Sequence, residues 1–154
     1  MKRVITVLGM LLLSACSSEK YMAMPDGSRP VLYRADEVLT WPVVDGAHQS
    51  PAGNAKIYID QTVRLGDDVR VGNGVRIGPK ASIKTDAVLF PNVVVGEEAR
   101  IEKDVIVQAD ARIGKGVVIG SDAKVGAGSV LEDGAKVRNW QVIPPGTTVA
   151  ASKQ

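Results

Sequence analysis

The stretch VRLGDD-VRVGNG-VRIGPK, residues 63 to 80, contains three copies of the six-residue unit that decides the fold. When residues 57 to 152 are read in sixes, every third position is aliphatic and no insertion breaks the register. First positions are mostly Val or Ala, and residues two apart point to the same face of a strand. Second positions, which include several Arg and Lys, point to the other face. The repeat therefore predicts one short strand per unit, with two side chains directed inward.

The other three positions of the unit predict a corner. The fourth is Gly in seven units, and the sixth is Gly, Asp or Asn at eleven of the fourteen positions from residue 68 to residue 146. Because these residue types tolerate a left-handed backbone best, we attribute them to a left-handed step at each corner. Strands and corners at this spacing close a triangle every eighteen residues. The sequence thus predicts an all-β, three-sided parallel β-helix of about five coils, roughly 25 Å tall.

Units such as VRLGDD, ARIGKG and AKVGAG resemble the hexapeptide repeat of the left-handed parallel β-helix, the superfamily of trimeric acyltransferases. The resemblance covers residues 57 to 152 and implies left-handed coiling, an exception to the usual right-handed crossover. A right-handed β-helix stays open as an alternative, although it generally lacks a Gly-rich corner at fixed spacing. The superfamily also contains γ-class carbonic anhydrases, whose metal is bound by three histidines.

Catalysis has little support in the sequence. Enzymes of the superfamily typically use a His as general base, and the only histidine here, His48, lies outside the repeat. A three-histidine metal site within one chain is therefore excluded, and Asp67, Asp68, Glu97 and Glu98 are interpreted as solvated corner residues. The unbroken register leaves no loop for an acceptor pocket, and acyl-CoA is not expected outside the cytoplasm. We predict no catalytic residue, cofactor or metal, with His48 as a weak alternative base.

Residues 1 to 15 predict a secretory signal. Lys2 and Arg3 precede an uncharged run, residues 4 to 13, that is too short to span a bilayer. The sequence Leu-Ser-Ala-Cys ending at Cys16 resembles the lipobox of bacterial lipoproteins, which implies cleavage before Cys16 and lipidation of its sulfur. Ser17 follows, where an Asp would imply retention in the inner membrane. We therefore expect a lipid anchor in the outer membrane, facing the periplasm, rather than in the inner membrane.

The charge of the chain argues against nucleic-acid binding. The formal charge of +2 comes from Lys2 and Arg3, so that removal of the signal leaves a balanced chain. Residues 16 to 56 are interpreted as a lipidated tether followed by a cap. The apolar stretch 31 to 44 is expected to cover the open first coil, with a disordered linker as the alternative. Residues 46 to 56 are expected to form a loop.

One outward apolar patch is predicted on the coils. Val88 and Ile106 occupy second positions eighteen residues apart and should stack on one face, with Phe90 and Val94 beside them. Exposed apolar patches tend to mark interfaces, so these four residues predict a homotrimer or an envelope protein partner, with scattered exposed valines as the alternative. The function expected overall is a non-catalytic scaffold or binding surface. The alternative is an acyltransferase-like enzyme acting on an envelope saccharide or lipid.

Overall fold

The computed structural model describes Met24 and residues 26 to 152, and in them it shows 19 short strands and one helical turn. No helix in this part of the chain is long and apolar enough to cross a membrane. In chain order, the elements are β1 (Leu32–Arg34), α1 (Ala35–Val38), β2 (Val43–Val44), β3 (Ala47–Gln49), β4 (Lys56–Ile59), β5 (Arg64–Leu65), β6 (Arg70–Gly72), β7 (Arg76–Ile77), β8 (Ser82–Ile83), β9 (Val88–Leu89), β10 (Val94–Val95), β11 (Arg100–Ile101), β12 (Ile106–Val107), β13 (Arg112–Ile113), β14 (Val118–Ile119), β15 (Lys124–Val125), β16 (Val130–Leu131), β17 (Lys136–Val137), β18 (Val142–Ile143) and β19 (Thr148–Val149).

Three sheets, whose strands are parallel from β4 onward, form the walls of a left-handed β-helix of about five coils. Sheet 1 has the order β1-β6-β9-β12-β15-β18, sheet 2 the order β2-β3-β4-β7-β10-β13-β16-β19, and sheet 3 the order β5-β8-β11-β14-β17. Within the coils, each residue pairs with the residue eighteen positions further on, as Val94 does with Arg112. The strands fall on the second and third positions of the six-residue unit, as the sequence predicts.

The core runs along the axis of the prism and consists of first and third positions. Ala99 and Ile101 are both fully buried, and the same holds for the corresponding residues of most coils. Burying one such aliphatic side chain contributes roughly 1.5 to 3 kcal/mol. The stability of the coils therefore accumulates from many similar small residues, which agrees with an aromatic content of only 4%.

The corners confirm the left-handed step at the sixth position. All fourteen sixth positions from residue 68 to residue 146 have positive φ, between 54° and 76°. The step is kept even where the residue disfavours it, at Lys80, Glu98 and Trp140. Backbone geometry at this position is therefore imposed by the coil and not by the residue alone.

The glycines at the fourth position have a different cause from the one expected. They do not have positive φ; instead, the next coil lies directly against them. A Cβ on Gly96 would lie 2.6 Å from the carbonyl carbon of Gly114, and a Cβ on Gly72 would lie 2.5 Å from the backbone nitrogen of Pro91. These glycines are needed because stacked corners leave no room for a side chain.

The N-terminal end of the coils is covered by residues 32 to 49. Strand β1 runs antiparallel to β6, and the Ala35 amide donates to the Val69 carbonyl at 2.8 Å. The Trp41 side chain is 93% buried and its ring meets that of Tyr33 edge-on, with centroids 4.9 Å apart. This cap supplies backbone partners and apolar cover to a coil end that would otherwise be open.

A β-hairpin completes the cap and corrects the loop expected for residues 46 to 56 at residues 47 to 49 and 56, whereas residues 50 to 55 contain no strand or helix. Strands β2 and β3 pair antiparallel, and β3 also pairs with β4, so that the hairpin extends sheet 2. Its turn is formed by Asp45 and Gly46, whose φ angles are 50° and 78°. Asp-Gly with two left-handed residues is a favoured two-residue hairpin turn, because its twist matches that of the strands.

Candidate functional site

The predicted functional residues do not converge on one place. Cys16 lies outside the residues that the structure describes. His48 lies on β3 in the capping hairpin, opposite Val43 and Ile57. The Nδ1 atom of His48 is buried and has no hydrogen-bond partner in the described structure. Such an unpartnered buried nitrogen is uncommon in proteins, so that His48 is the least satisfied polar side chain of the cap.

The apolar patch expected around Val88 is not exposed, and this part of the prediction is wrong. The exposed fractions are 8% for Val88, 9% for Ile106 and 0% for Phe90, whereas Val94 is 37% exposed. Val88, Phe90 and Ile106 belong to the same apolar cluster as the central core, against which Met24 also packs. Phe90 is predicted to lie in the outward patch, but its ring is packed into that cluster. Association with a second copy or a partner stays a prediction.

The carboxylates at the corners form surface ion pairs. Glu97 lies 3.3 Å from the Lys115 ammonium, and Asp68 lies 3.4 Å from the Arg34 guanidinium. In the described part of the chain, no three His, Cys, Asp or Glu side chains are grouped so that they could hold a metal ion. The arrangement at these corners is that of solvated salt bridges, each of which contributes little to stability.

A depression of about 570 Å³ on the outer face of sheet 3 is not among the sites that the sequence predicts. Four cations, two hydroxyl groups and one carboxylate line it: Arg64, Lys80, Lys84, Arg100, Thr62, Ser82 and Glu102. The signal in the sequence is the eighteen-residue spacing, which stacks Arg64, Ser82 and Arg100 on one face. We call this feature the sheet 3 depression.

One side of the sheet 3 depression is held in place by hydrogen bonds around Thr62. The Thr62 hydroxyl donates to Asp60 Oδ1 at 2.5 Å and accepts from the Lys80 amide at 2.8 Å. The Thr62 amide also donates to Asp60 Oδ1, at 2.8 Å. The hydrogen bond from the Thr62 hydroxyl has the larger effect and that from the Thr62 amide the smaller one. Both stabilise the Asp60 carboxylate and so lower the pKa of Asp60 from its ordinary value. These bonds tie the corner of one coil to the backbone of the next.

Comparison with known proteins agrees with the β-helix fold. The family model described as bacterial transferase hexapeptide (six repeats) matches residues 92 to 127. The matched segment is similar to that repeat. Among solved structures, the fold of the chain is similar to that of a variant of perosamine N-acetyltransferase from Caulobacter crescentus in complex with CoA and GDP-perosamine, with 24% identity and a TM-score of 0.61. That alignment covers 68% of this chain and 48% of the acetyltransferase, so the chain spans about half of the length of the acetyltransferase.

Two other solved structures match with lower TM-scores. A hexapeptide transferase family protein from Anaplasma phagocytophilum is 25% identical, with a TM-score of 0.47, over 63% of this chain and 71% of that one. Serine acetyltransferase from Neisseria gonorrhoeae is 27% identical, with a TM-score of 0.48, over 60% and 38%. None of the curated proteins compared with the chain matches it. The similarity to the perosamine N-acetyltransferase, at 24% identity, shows a shared fold alone.

Proposed function

We propose that this chain is a lipid-anchored protein of the cell envelope that uses its β-helix as a binding scaffold. The position of His48 carries the proposal. It is the only histidine of the sequence, and it lies in the capping hairpin, with one ring nitrogen buried, rather than on the coils. A general base must reach the proton that it removes. The coils themselves have no excursion in the repeat, and most second positions of sheets 2 and 3 are exposed.

An acyltransferase acting on an envelope saccharide or lipid is the second candidate, and the comparisons favour it. The matching family model is that of a transferase repeat, and the acetyltransferase of similar fold was solved with CoA and GDP-perosamine. One local observation also supports it, namely the unpartnered Nδ1 of His48. A catalytic role is one of the explanations for a buried polar atom without a partner.

Release of CoA separates the two candidates. The purified full chain is incubated with acetyl-CoA and a panel of amino and hydroxy sugars, and free thiol is measured. We expect the wild type to equal the blank, and the His48→Asn variant to equal the wild type. A rate above the blank that falls 10²-fold or more in His48→Asn, but not in the neighbouring Gln49→Asn control, would establish the enzyme and overturn the scaffold.

The anchor is tested at Cys16. Cys16→Ser should move the protein from the membrane fraction to the soluble fraction, because several acyl chains on one residue are what makes anchoring stable. Ser17→Ala is the matched control and should remain in the membrane fraction, whereas Ser17→Asp should shift it to the inner membrane. Membrane retention of Cys16→Ser would contradict the lipid anchor.

Self-association is proposed through sheet 2, where Val94 remains exposed and Val130 is exposed to the same 37%. Light scattering of the full chain in detergent should give the mass of a trimer. Val94→Asp should lower that mass, while Thr148→Asp on the same sheet should not. A monomeric wild type, or an unchanged mass of Val94→Asp, would count against this contact.

A further inference from the structure

Four cations of the sheet 3 depression surround one hydroxyl group in a cross. Ser82 lies on β8, Arg64 lies one coil before it and Arg100 one coil after it. The two arginines are thus two strand spacings apart, roughly 10 Å between backbones. Lys80 lies at the corner before β8, with φ of 57°, and Lys84 directly follows β8. All five side chains line the same 570 Å³ depression.

The charges of this cross are largely uncompensated. Arg64, Lys84 and Arg100 make no ion pair or side-chain hydrogen bond with any residue that the structure describes. Lys80 reaches Glu98 only at 4.0 Å, and Glu102 is the single carboxylate lining the depression. Like charges that line one depression repel each other, and their concave arrangement concentrates the positive electrostatic potential there. An anion placed above Ser82 would relieve this repulsion.

We propose that the sheet 3 depression binds a ligand that carries a phosphomonoester or a diphosphate group. Arginine forks match phosphate oxygens in pairs, lysine supplies a point charge, and a serine hydroxyl can donate one more bond. Two guanidinium groups and two ammonium groups exceed what a singly charged carboxylate would use. The ligand class follows from these side chains alone and does not depend on whether the coils catalyse a reaction.

Sheet 2, another wall of the prism, offers a matched control pair of arginines. On sheet 2, Arg76 and Arg112 also occupy second positions two coils apart, on either side of Val94. No hydroxyl lies between them, and the Arg76 guanidinium rests over the Tyr58 ring at 4.3 Å from its centroid. Removing this pair changes the net charge of the protein by the same amount, but leaves the sheet 3 depression intact.

The test is calorimetric titration of the full chain in a neutral detergent at low salt, since screening weakens exposed charge contacts. The probes are sodium pyrophosphate and short-chain phosphatidic acid, with short-chain phosphatidylcholine as the phosphodiester control. We expect saturable binding of at least one phosphate probe. The double variant Arg64→Gln with Arg100→Gln should weaken it at least tenfold, and Arg76→Gln with Arg112→Gln less than twofold. Unchanged thermal midpoints would show that both variants are folded.

The two probes distinguish the source of the phosphate. Binding of pyrophosphate alone assigns a soluble ligand, binding of phosphatidic acid alone assigns a lipid headgroup, and binding of both assigns their shared chemistry. Three results would overturn the proposal: no saturable binding of either phosphate probe, binding that survives loss of Arg64 and Arg100, or equal weakening by the two double variants. Equal weakening would show only a general response to net charge.

Discussion

Replacing Trp140 by Asn should stabilise the protein, although it removes the largest type of apolar side chain. Trp140 is at a corner with φ of 63° and is 73% exposed. A bulky residue in the left-handed region costs roughly 1 to 2 kcal/mol, much of which Asn avoids. The buried quarter of the indole, about 50 Å², contributes roughly 1 kcal/mol in return. We therefore expect a small net gain of up to about 0.5 kcal/mol, or about 1 to 2 °C in the thermal midpoint.

The chain itself supports the choice of residue. In the preceding coils, the same corner position is Asp four times, at residues 68, 86, 104 and 122, with φ between 54° and 60°. Asn keeps the tolerance of a left-handed backbone without adding a fifth carboxylate to that column. Asn92 already occupies the equivalent position of another corner, with φ of 63°.

Urea unfolding of the full chain, followed by circular dichroism, measures the effect. Because a solenoid can unravel from one end, hydrogen exchange of the last coil is the second readout. Val142→Asn is the control: Val142 is 52% exposed on β18 and has no left-handed backbone to relieve, so its replacement should be neutral or destabilising. If Trp140→Asn lowers stability as much as the control does, the indole is held by contacts and the strain argument fails.

Three further outcomes are expected. Gly96→Ala should destabilise by roughly 1 to 3 kcal/mol because its Cβ meets the next coil, whereas Gly116→Ala, with φ of 64° and open space, should cost only about 1 kcal/mol; equal losses in urea unfolding would refute the distinction. Ile101→Ala, at a fully buried position, should cost roughly 2 to 5 kcal/mol, and a loss below that range would show that the coil collapses around the gap. Thr62→Val removes the largest cause of the lowered pKa of Asp60, so carboxyl NMR titration should find that pKa nearer its ordinary value. Since the folded pKa is depressed, the stabilisation from this bond is present at neutral pH and is lost as pH falls through that pKa; an unchanged pKa in the variant would exclude the hydroxyl as its cause.

The coils could be predicted almost residue by residue because one rule applies to every unit. Alternation of side chains fixes which residues are buried, and the closed triangle fixes the register of all three sheets. The left-handed sixth position follows from the same repetition, including the corner at Glu98 whose residue type does not suggest it. Periodicity is informative here because each coil has nearly the same surroundings.

The parts that could not be predicted are those where the surroundings differ. The Asp45-Gly46 turn was a recognisable hairpin signal, but the non-repeating composition around it favoured a loop. Phe90 is fully buried in the apolar cluster. The six-residue pattern predicts only its first and third positions to be buried, and Phe90 occupies a fourth position. The sheet 3 depression needs side chains from successive coils, and no single unit contains it. Sequence patterns therefore predict which residues lie on the outer face of sheet 3, but not that their side chains line a depression.

The eighteen-residue pairing between coils has a consequence for how such a chain can change in length. Arg64 pairs with Ser82, the Arg64 backbone amide donates to the Ala81 carbonyl, and the later coils repeat this arrangement. Loss or duplication of eighteen residues would shorten or lengthen the prism and leave each outer face as it was. Loss of six would keep every inward side chain inward, yet turn the following segment by one wall, so that Arg100 would no longer stand in line with Arg64. Insertions and deletions of whole units are therefore of two kinds. Those of eighteen residues preserve the pattern of side chains on each outer face, whereas those of six residues move the following side chains to another face and leave the inward side chains buried.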